Sequence, residues 1–230
     1  MTIVHDGARL RLSVFTGGPF QENTYLVHCV DSDRCVVVDP GAATPELVEV
    51  LTRAGLTPEA IWLTHAHLDH VDGIPALVEA FPVPVLLHPA DLPLYRKAPD
   101  QARAFGLPFG GALPEPETTL SAEGSLTLGA ATFEVRFAPG HAPGHVMFFE
   151  PNAGVALVGD VIFQRSIGRT DLPGGDTQTL LASIRQEVLT LPDATVLFPG
   201  HGPATTVGEE RMGNPFLLPM TGGSSGRTLA

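Results

Sequence analysis

The alternation of apolar and polar positions predicts short strands interspersed with helices. Runs rich in β-branched residues and bounded by Gly, Pro or Asp are typical of strands. They cover residues 11–15, 25–30, 35–38, 60–63 and 83–87, and then 125–128, 132–137, 146–149, 155–158 and 195–198. Helical spacing of apolar residues predicts helices over 44–54, 71–80, 91–104 and 177–189. Each half of the chain has several strands followed by a helix, a pattern that two sheets packed face to face with helices outside would satisfy.

One segment interrupts this pattern. Residues 106–119 are rich in Pro and Gly. We expect them to form a loop over a functional site rather than a linker between domains. The reason is that the histidine-containing motifs before and after them, at residues 64–70 and 139–141, must meet in space. We therefore predict a single domain over residues 1–230, with a mobile tail after about residue 220, where the sequence is rich in Gly and Ser.

The charge balance narrows the possible partners. The chain has 13 Lys and Arg against 25 Asp and Glu, a formal net charge of −12. We expect no nucleic-acid partner, because like charges repel and no basic run offsets them. The N-terminus lacks the basic and apolar regions of a secretory signal, and no apolar stretch is long enough to span a bilayer. We expect a cytoplasmic protein without a membrane partner, and the oligomeric state stays open.

Cys29 and Cys35 are the two cysteines of the chain. If residues 31–33 form a hairpin turn, the two thiols face each other across the strand pair. In a reducing compartment we expect buried free thiols rather than a disulfide.

The strongest chemical signal is a run of metal-binding residue types directly after the strand predicted over 60–63. Residues 64–70 read Thr-His-Ala-His-Leu-Asp-His. In a tight loop His65 and His67 can bind one ion, while Asp69 and His70 turn toward a second. A lone His-x-His motif means little, but three histidines and an aspartate within six residues are rare by chance.

Two further histidines and one aspartate follow strands elsewhere in the chain. His141 and His201 each come after Pro-Gly, and Asp160 ends the apolar run 155–158. Gly140 and Gly200 allow close backbone approach, and a carboxylate such as Asp160 can bridge two ions. These nitrogen and oxygen ligands suit two divalent cations, with zinc as the first choice and iron or manganese as alternatives. A structural zinc site of the cysteine type is excluded, because no thiolate lies in a metal-binding spacing.

The motif His65-x-His67-x-Asp69-His70, together with His141, Asp160 and His201, resembles the metallo-β-lactamase superfamily. The resemblance runs from the first strands to the tail. It implies an α/β fold, the αββα sandwich, in which two mixed β-sheets pack face to face with helices outside. It also implies the assignment of the ligands, with one ion held by His65, His67 and His141, the other by Asp69, His70 and His201, and Asp160 as the bridge.

Finer motifs resemble the glyoxalase II branch, the hydroxyacylglutathione hydrolases. They lie at residues 139–145, 159–163, 168–171 and 201–203. The implied activity is hydrolysis of a small thioester by a hydroxide that bridges two metal ions, with Asp69 orienting that hydroxide. Loss of a thiolate, whose pKa is about 8.5, needs little acid assistance. In that family a C-terminal helical domain carries basic residues that bind glutathione. Here the basic residues after His201 are Arg211 and Arg227, so that domain has little counterpart. The resemblance therefore covers the hydrolytic core and leaves the thiol portion open.

Other activities stay open on the same motifs. The same stretches resemble the persulfide dioxygenases, which share the fold but use a single iron. A lactonase is a further alternative, because lactones yield to the same hydroxide.

Several residues near the motifs have both a functional and a structural interpretation. Asp39 and Thr64 either orient the metal ligands or make a strand-end hydrogen bond. Arg165 and Arg169 either contact a substrate carboxylate or pair with a nearby aspartate, Asp171 or Asp176.

The same choice applies to four residues outside the ligand motifs. Tyr95, Arg96 and Phe105, which flank the Pro/Gly-rich segment, either line the pocket or lie among residues that pack in the core. For His145 we expect a structural hydrogen bond, because the ligand set is complete without it.

Overall fold

The computed structural model describes residues 1–117, 119–121 and 124–218. In these residues the strands form two six-stranded sheets and a small two-stranded one. The first sheet contains β1 (Thr2–Asp6), β2 (Leu10–Gly17), β3 (Glu22–Cys29), β4 (Arg34–Val38), β5 (Pro58–Trp62) and β6 (Val85–Leu86). The second contains β7 (Ser125–Leu128), β8 (Ala131–Phe137), β9 (Val146–Glu150), β10 (Val155–Gly159), β13 (Val196–Pro199) and β14 (Thr205–Thr206), and the small one contains β11 (Ile162–Phe163) and β12 (Ser166–Ile167).

Both large sheets are mixed. The first runs in the order β1 to β6, antiparallel through β4 and parallel from β4 to β6. The second has the order β14-β13-β10-β9-β8-β7, with β10 and β13 parallel and its other neighbours antiparallel. Parallel neighbours need a crossover connection, and helices supply it in both sheets.

An apolar core fills the space between the two sheets. Strands of the first sheet contribute Val27, Val38 and Trp62, and strands of the second contribute Phe133 and Phe148, all buried. The indole of Trp62 packs against both phenylalanine rings, with centroids 5.2 and 5.4 Å away. Burial of these faces supplies the main driving force for association of the sheets.

Helices cover the outer faces of the sandwich. They are α1 (Thr44–Ala54), α2 (Leu68–Val71), α3 (Ile74–Ala80), α4 (Leu92–Phe105), α5 (Thr177–Ser183) and α6 (Val207–Gly213). The first four pack on or beside the first sheet, and the last two cover the second. The predicted αββα sandwich is thus confirmed. None of the helices in the described ranges is both long and apolar enough to cross a membrane.

The predicted position of the Pro/Gly-rich segment is wrong for residues 106–117. Leu107, Phe109 and Leu113 pack on the helices outside the first sheet, and Glu117 forms a parallel bridge with Leu86. This part of the segment covers a helical layer, because its own apolar residues bury themselves there. The tail predicted to be mobile after about residue 220 lies outside the described residues.

The predicted alignment of the two cysteines is also wrong. The loop between β3 and β4 has four residues rather than three, so Cys29 pairs with Arg34 and Cys35 with His28. A shift of one residue sends a side chain to the other face of the sheet. Cys29 therefore packs between the sheets and Cys35 under the helices, and both thiols are free and buried.

Candidate metal centre

Four loops meet at one edge of the sandwich, and each follows the C-terminal end of a strand. In the second sheet β8, β10 and β13 run in the same direction, so the residues after them, His141, Asp160 and His201, emerge on the same side. The loop 64–70 follows β5 of the first sheet. Backbone hydrogen bonds join the sheets here, since Val146 N donates to Thr64 O.

The structure brings the first group, which we define as His65, His67 and His141, into one cluster. One nitrogen from each ring lies within 4.8 Å of the others. The closest pair is His67 Nδ1 and His141 Nε2, 2.8 Å apart. All three side chains are buried. Three converging imidazoles are a common ligand set for a divalent transition metal.

The second group, defined as Asp69, His70 and His201, lies beside the first. One ligand atom from each of its side chains again lies within 4.8 Å of the others. His201 Nε2 is 3.2 Å from Asp69 Oδ2, and His70 Nε2 is 4.0 Å from the same oxygen. Its ligand atoms are two imidazole nitrogens and a carboxylate oxygen, a set that suits zinc, iron or manganese.

Asp160 stands between the two groups. Its Oδ2 lies 3.4 Å from Nε2 of His141 in the first group and 3.5 Å from Nε2 of His201 in the second. Its Oδ1 lies 3.5 Å from Nε2 of His70. A single carboxylate thus touches ligands of both groups, which is the position that a bridging ligand requires.

Acceptors behind the rings turn the ligand nitrogens inward. The Nδ1 atoms of His141 and His201 donate to the carbonyl oxygens of Arg169 (2.7 Å) and Phe20 (3.0 Å). A ring that donates from Nδ1 leaves the lone pair of Nε2 free for a cation.

A chain of hydrogen bonds fixes the rings of His65 and His70. His70 Nδ1 lies 3.1 Å from Asp39 Oδ2, and His65 Nδ1 lies 3.1 Å from Thr64 Oγ1. The Thr64 hydroxyl donates to the same Asp39 oxygen over 2.6 Å, and the Thr64 backbone N–H donates to its other oxygen over 2.7 Å. Thr64 thus contacts His65 of the first group, Asp39 contacts His70 of the second, and the two residues are bonded to each other.

The residue that precedes each of two ligand histidines has to be small. Gly140 has φ +125°, and a Cβ on it would strike the backbone of Leu180. A Cβ on Gly200 would strike Asp160 Oδ1 and the ring of His70. Glycine is therefore needed in the two Pro-Gly-His sequences for different reasons. Gly140 adopts a backbone conformation that other residues resist, whereas Gly200 lies too close to the cluster for a side chain.

The sequence profile of the metallo-β-lactamase superfamily matches residues 17–201. The chain belongs to this superfamily. It is 40% identical over 200 residues to the hydroxyacylglutathione hydrolase GloC of Haemophilus influenzae, an alignment that covers 86% of this chain and 93% of GloC.

Two solved structures share the fold closely. The structure of TTHA1623 in a di-iron-bound form matches with a TM-score of 0.79 and 45% identity, covering 89% of this chain and all of that one (100%). The structure of the BLEG-1 B3 metallo-β-lactamase matches with a TM-score of 0.79 and 42% identity, covering 90% of this chain and 99% of that one.

The superfamily binds two metal ions, and the buried polar atoms of this metallo-β-lactamase fold fit such a centre. The Nε2 atoms of His65 and His70 and the Oδ1 atom of Asp160 are buried without a hydrogen-bond partner among the residues described. Each unsatisfied buried polar atom costs about 1–3 kcal/mol. Cations coordinated by these atoms would remove that cost.

The electrostatics of the two groups differ. Burial, reinforced by the neighbouring His141 ring, lowers the pKa of His67 to about 3, and burial together with His70 lowers the pKa of His65. Burial alone would also lower the pKa of His201, but hydrogen bonds to Asp160 and Asp69 outweigh it and raise this pKa to about 10. The imidazoles of the first group are therefore neutral. In the second group the neighbouring carboxylates favour the protonated, positively charged form of His201.

Asp91 is a further residue of the site that the sequence patterns did not reveal. It is fully buried, and its Oδ2 accepts from Ala66 N (2.9 Å) while its Oδ1 accepts from Gly144 N (2.5 Å). It therefore ties the loop 64–70 to the loop 139–145. A single Asp at the start of a predicted helix carries no sequence signal for this role, which depends on a tertiary contact.

The other candidate residues lie in different places. Arg169 lies at the cavity beside the metal centre, where it forms a bidentate pair with Asp171 over 2.7 and 2.8 Å. Arg165 donates from Nη1 to Gly213 O and does not border that cavity. Tyr95 is buried in the helical layer, with its hydroxyl donating to Pro114 O, so it belongs to the core rather than to the cavity.

His145 is placed as expected, since its Nε2 accepts from the backbone N–H of Asp160 over 3.0 Å. Its ring also stacks on that of His65, with centroids 4.7 Å apart. His145 therefore holds the backbone of Asp160 and packs on the ring of His65, but it belongs to neither group.

A cavity of about 330 Å³ opens onto the metal centre. Ligands of both groups form its floor. Its walls include six apolar side chains, Phe20, Leu68, Phe105, Phe163, Ile167 and Leu172. The small hairpin of β11 and β12 supplies Phe163 and Ile167. A second cavity of about 390 Å³, bordered by His5 and Glu150, shares no wall with this one.

Proposed function

We propose that this protein is a metal-dependent hydrolase of small thioesters, similar to the hydroxyacylglutathione hydrolases. The observation that carries the proposal is the pair of ligand groups with Asp160 between them, at the floor of an open cavity. The 40% identity to GloC supports the thioester class.

The protein residues hold and orient the components of the reaction. Five histidines, Asp69 and Asp160 would hold two divalent ions, of which zinc is our first choice. When bound, such ions supply an activated water near neutral pH and polarise the substrate carbonyl. Asp69 borders the cavity, and its carboxylate would accept a hydrogen bond from the attacking water and so orient it. Asp39 and Thr64 keep the ligand rings in their tautomers.

The cavity wall supports a thiol as the leaving group. The wall residues described include no Lys, Tyr or Glu, and the acidic ones are metal-ligand candidates. An amide nitrogen needs a proton in order to depart, whereas a thiolate departs with little acid assistance. Thioesters are therefore favoured over amides.

A β-lactam is the second candidate substrate, and it is favoured by the likeness to the BLEG-1 B3 metallo-β-lactamase. A mononuclear iron oxygenase acting on a persulfide remains the alternative within the same fold. That reaction uses one ion, and the second ligand group favours two.

The test is metal analysis combined with turnover. Protein loaded with zinc, iron or manganese is assayed with S-lactoylglutathione, with a simple alkyl thioester and with a β-lactam, and oxygen uptake is followed with glutathione persulfide. We expect two ions per chain and thioester cleavage at least 100-fold faster in kcat/KM than β-lactam cleavage.

His67→Ala should abolish the thioester activity and lower the metal content. His5→Gln is the matched control, because His5 lies on the edge strand β1 and belongs to neither group. Absence of thioester cleavage by a protein carrying two ions would refute the proposal, and oxygen uptake with one iron per chain would establish the oxygenase instead.

A further inference from the structure

Two phenylalanine side chains at the cavity expose a large part of their apolar surface to solvent. Phe20 is 39% exposed and Phe105 is 59% exposed. They lie on separate elements, the turn between β2 and β3 and the last residue of α4, yet their rings meet edge to face with centroids 5.7 Å apart. Exposed aromatic pairs beside a site mark a surface that a ligand covers.

The aromatic pair continues into the cavity. Phe163, on the small hairpin, borders the same space and meets the ring of the metal-ligand candidate His201, with centroids 6.1 Å apart. An apolar surface thus leads from the outer edge of the cavity to its floor. A ligand held at the metal centre would lay its remaining atoms against this surface.

The cavity offers little to a carboxylate-bearing ligand. Among the wall residues in the described part of the chain, Arg169 is the single Arg or Lys. Both of its bonded nitrogens donate to the two oxygens of Asp171, so its charge is already paired. Apart from the candidate ligands and the bridging candidate Asp160, Gln101 is the remaining polar residue among the described wall residues. A thiol portion with free carboxylates would find no unpaired Arg or Lys among the described wall residues.

We infer that the part of the substrate remote from the scissile bond is an apolar aryl or alkyl group, seated against Phe20 and Phe105, rather than a peptide with free carboxylates. This inference rests on the proposed function for the reacting bond, but it concerns binding to a different part of the cavity. It makes the two phenylalanines specificity residues for the thiol portion.

The test measures binding separately from turnover. The probes are two thioethers that cannot be hydrolysed, benzyl methyl sulfide and S-methylglutathione, titrated into the metal-loaded protein by calorimetry or followed by NMR. We expect the benzyl compound to bind more tightly. Phe105→Ala should weaken its binding about tenfold, or about 1.4 kcal/mol, and should leave S-methylglutathione within twofold.

The variant Phe216→Ala is the matched control. Phe216 is 50% exposed, similar to Phe105, but it does not border the cavity. Its removal should leave both affinities unchanged. Phe105→Leu should recover most of the lost affinity, because it restores apolar surface at the same point.

Turnover gives a second, independent measurement. With benzyl and glutathione thioesters of one acyl group, Phe105→Ala should raise KM for the benzyl ester and leave kcat unchanged. Tighter binding of S-methylglutathione, or benzyl binding that is insensitive to Phe105→Ala, would overturn the inference. If the thioethers behave as expected but no thioester is cleaved, the proposed function fails while the inference about the cavity stands.

Discussion

Asp39 connects the two ligand groups through a single carboxylate. It accepts from the backbone and the hydroxyl of Thr64 and contacts Nδ1 of His70. Its backbone has φ +50°, a left-handed conformation that Asp and Asn tolerate better than most residues. The residue type therefore suits this backbone conformation, and its side chain holds the loop 64–70.

Asp39→Asn should weaken metal binding about 10- to 100-fold, because the amide group presents a donor where an acceptor is needed. Asn retains the backbone conformation, so the fold should persist. Competition with a chromogenic chelator measures the affinity. Asp33→Asn is the matched control, since Asp33 also has positive φ but its side chain is 82% exposed. Equal affinities for the two variants would contradict the orienting role of Asp39.

The second ligand group should make metal binding depend on pH. His201 has a pKa of about 10 without metal, so it is protonated at pH 7 and must lose that proton to bind an ion. Affinity at this group should therefore increase as the pH rises toward 10. His67, with a pKa of about 3, is already neutral at pH 7, so the first group should respond little.

Calorimetry in buffers of different ionisation enthalpy tests this prediction. One of the two ions should release at least one proton at pH 7, and the other should release none. The same raised pKa stabilises the metal-free fold below about pH 6.5, and this contribution is lost as the pH rises through the folded value of about 10. Binding of both ions without proton release would contradict the assignment of His201.

At the scale of elements, Asp91 joins two loops that lie far apart in the chain. It is the last residue of a single 3₁₀ turn, Pro89–Asp91, which follows β6 and directly precedes α4. Its two oxygens accept from Ala66 and Gly144, whose loops carry ligands of the first group. The start of one helix thereby fixes the distance between two ligand loops.

Asp91→Ala should lower the free energy of unfolding by about 2–5 kcal/mol, because it leaves two buried N–H groups without acceptors. Asp91→Asn should lose roughly half as much, since it retains one acceptor oxygen. Urea denaturation of the metal-free protein measures both. Asp100→Ala, an exposed position on α4, is the control. A loss below 1 kcal/mol for Asp91→Ala would show that the two loops are held by other contacts.

Element boundaries show where local sequence suffices. Helix α1 matches its predicted range, because a Pro lies in its first turn and Gly55 ends it in a left-handed conformation. Helix α6 was not predicted, although Thr206 and Glu209 form a capping box whose signature is present in the sequence. Strand β1 was missed because its residues are mostly exposed and it is held by pairing with β2.

At the scale of the whole molecule, the metal centre lies between the two sheets. Four of its candidate ligands follow β5 of the first sheet, and three follow strands of the second. Ions bound here would link the two layers at one edge. Their binding free energy therefore adds to the stability of the sandwich.

Removal of metal by a chelator should lower the melting temperature by about 5–10 °C for each ion. An ion present at 100 times its dissociation constant adds about 2.7 kcal/mol, and each kcal/mol shifts Tm by about 2–4 °C in a protein of this size. Scanning calorimetry with and without chelator measures the shift. His67→Ala should show a smaller shift than His5→Gln, and equal shifts would place the stabilising ions elsewhere.

The sequence by itself predicted the candidate ligand set and determined the class of fold. Three histidines and an aspartate within residues 65–70 form a local pattern, and strand periodicity is also local, so neither needs tertiary information. Local sequence does not suffice elsewhere in the chain. One extra loop residue moved Cys29 and Cys35 to opposite faces, and local sequence does not fix that register.

The tertiary structure decided which residues support the candidate ligands and which border the cavity. Asp91 meets Ala66 and Gly144, and Phe20 meets Phe105, only because distant segments fold onto each other. The fold likewise pairs Arg169 with Asp171, where the sequence alone left a free cation open. Ligand chemistry is carried by residue type and spacing, whereas orientation and substrate fit arise from contacts between segments that the chain brings together on folding.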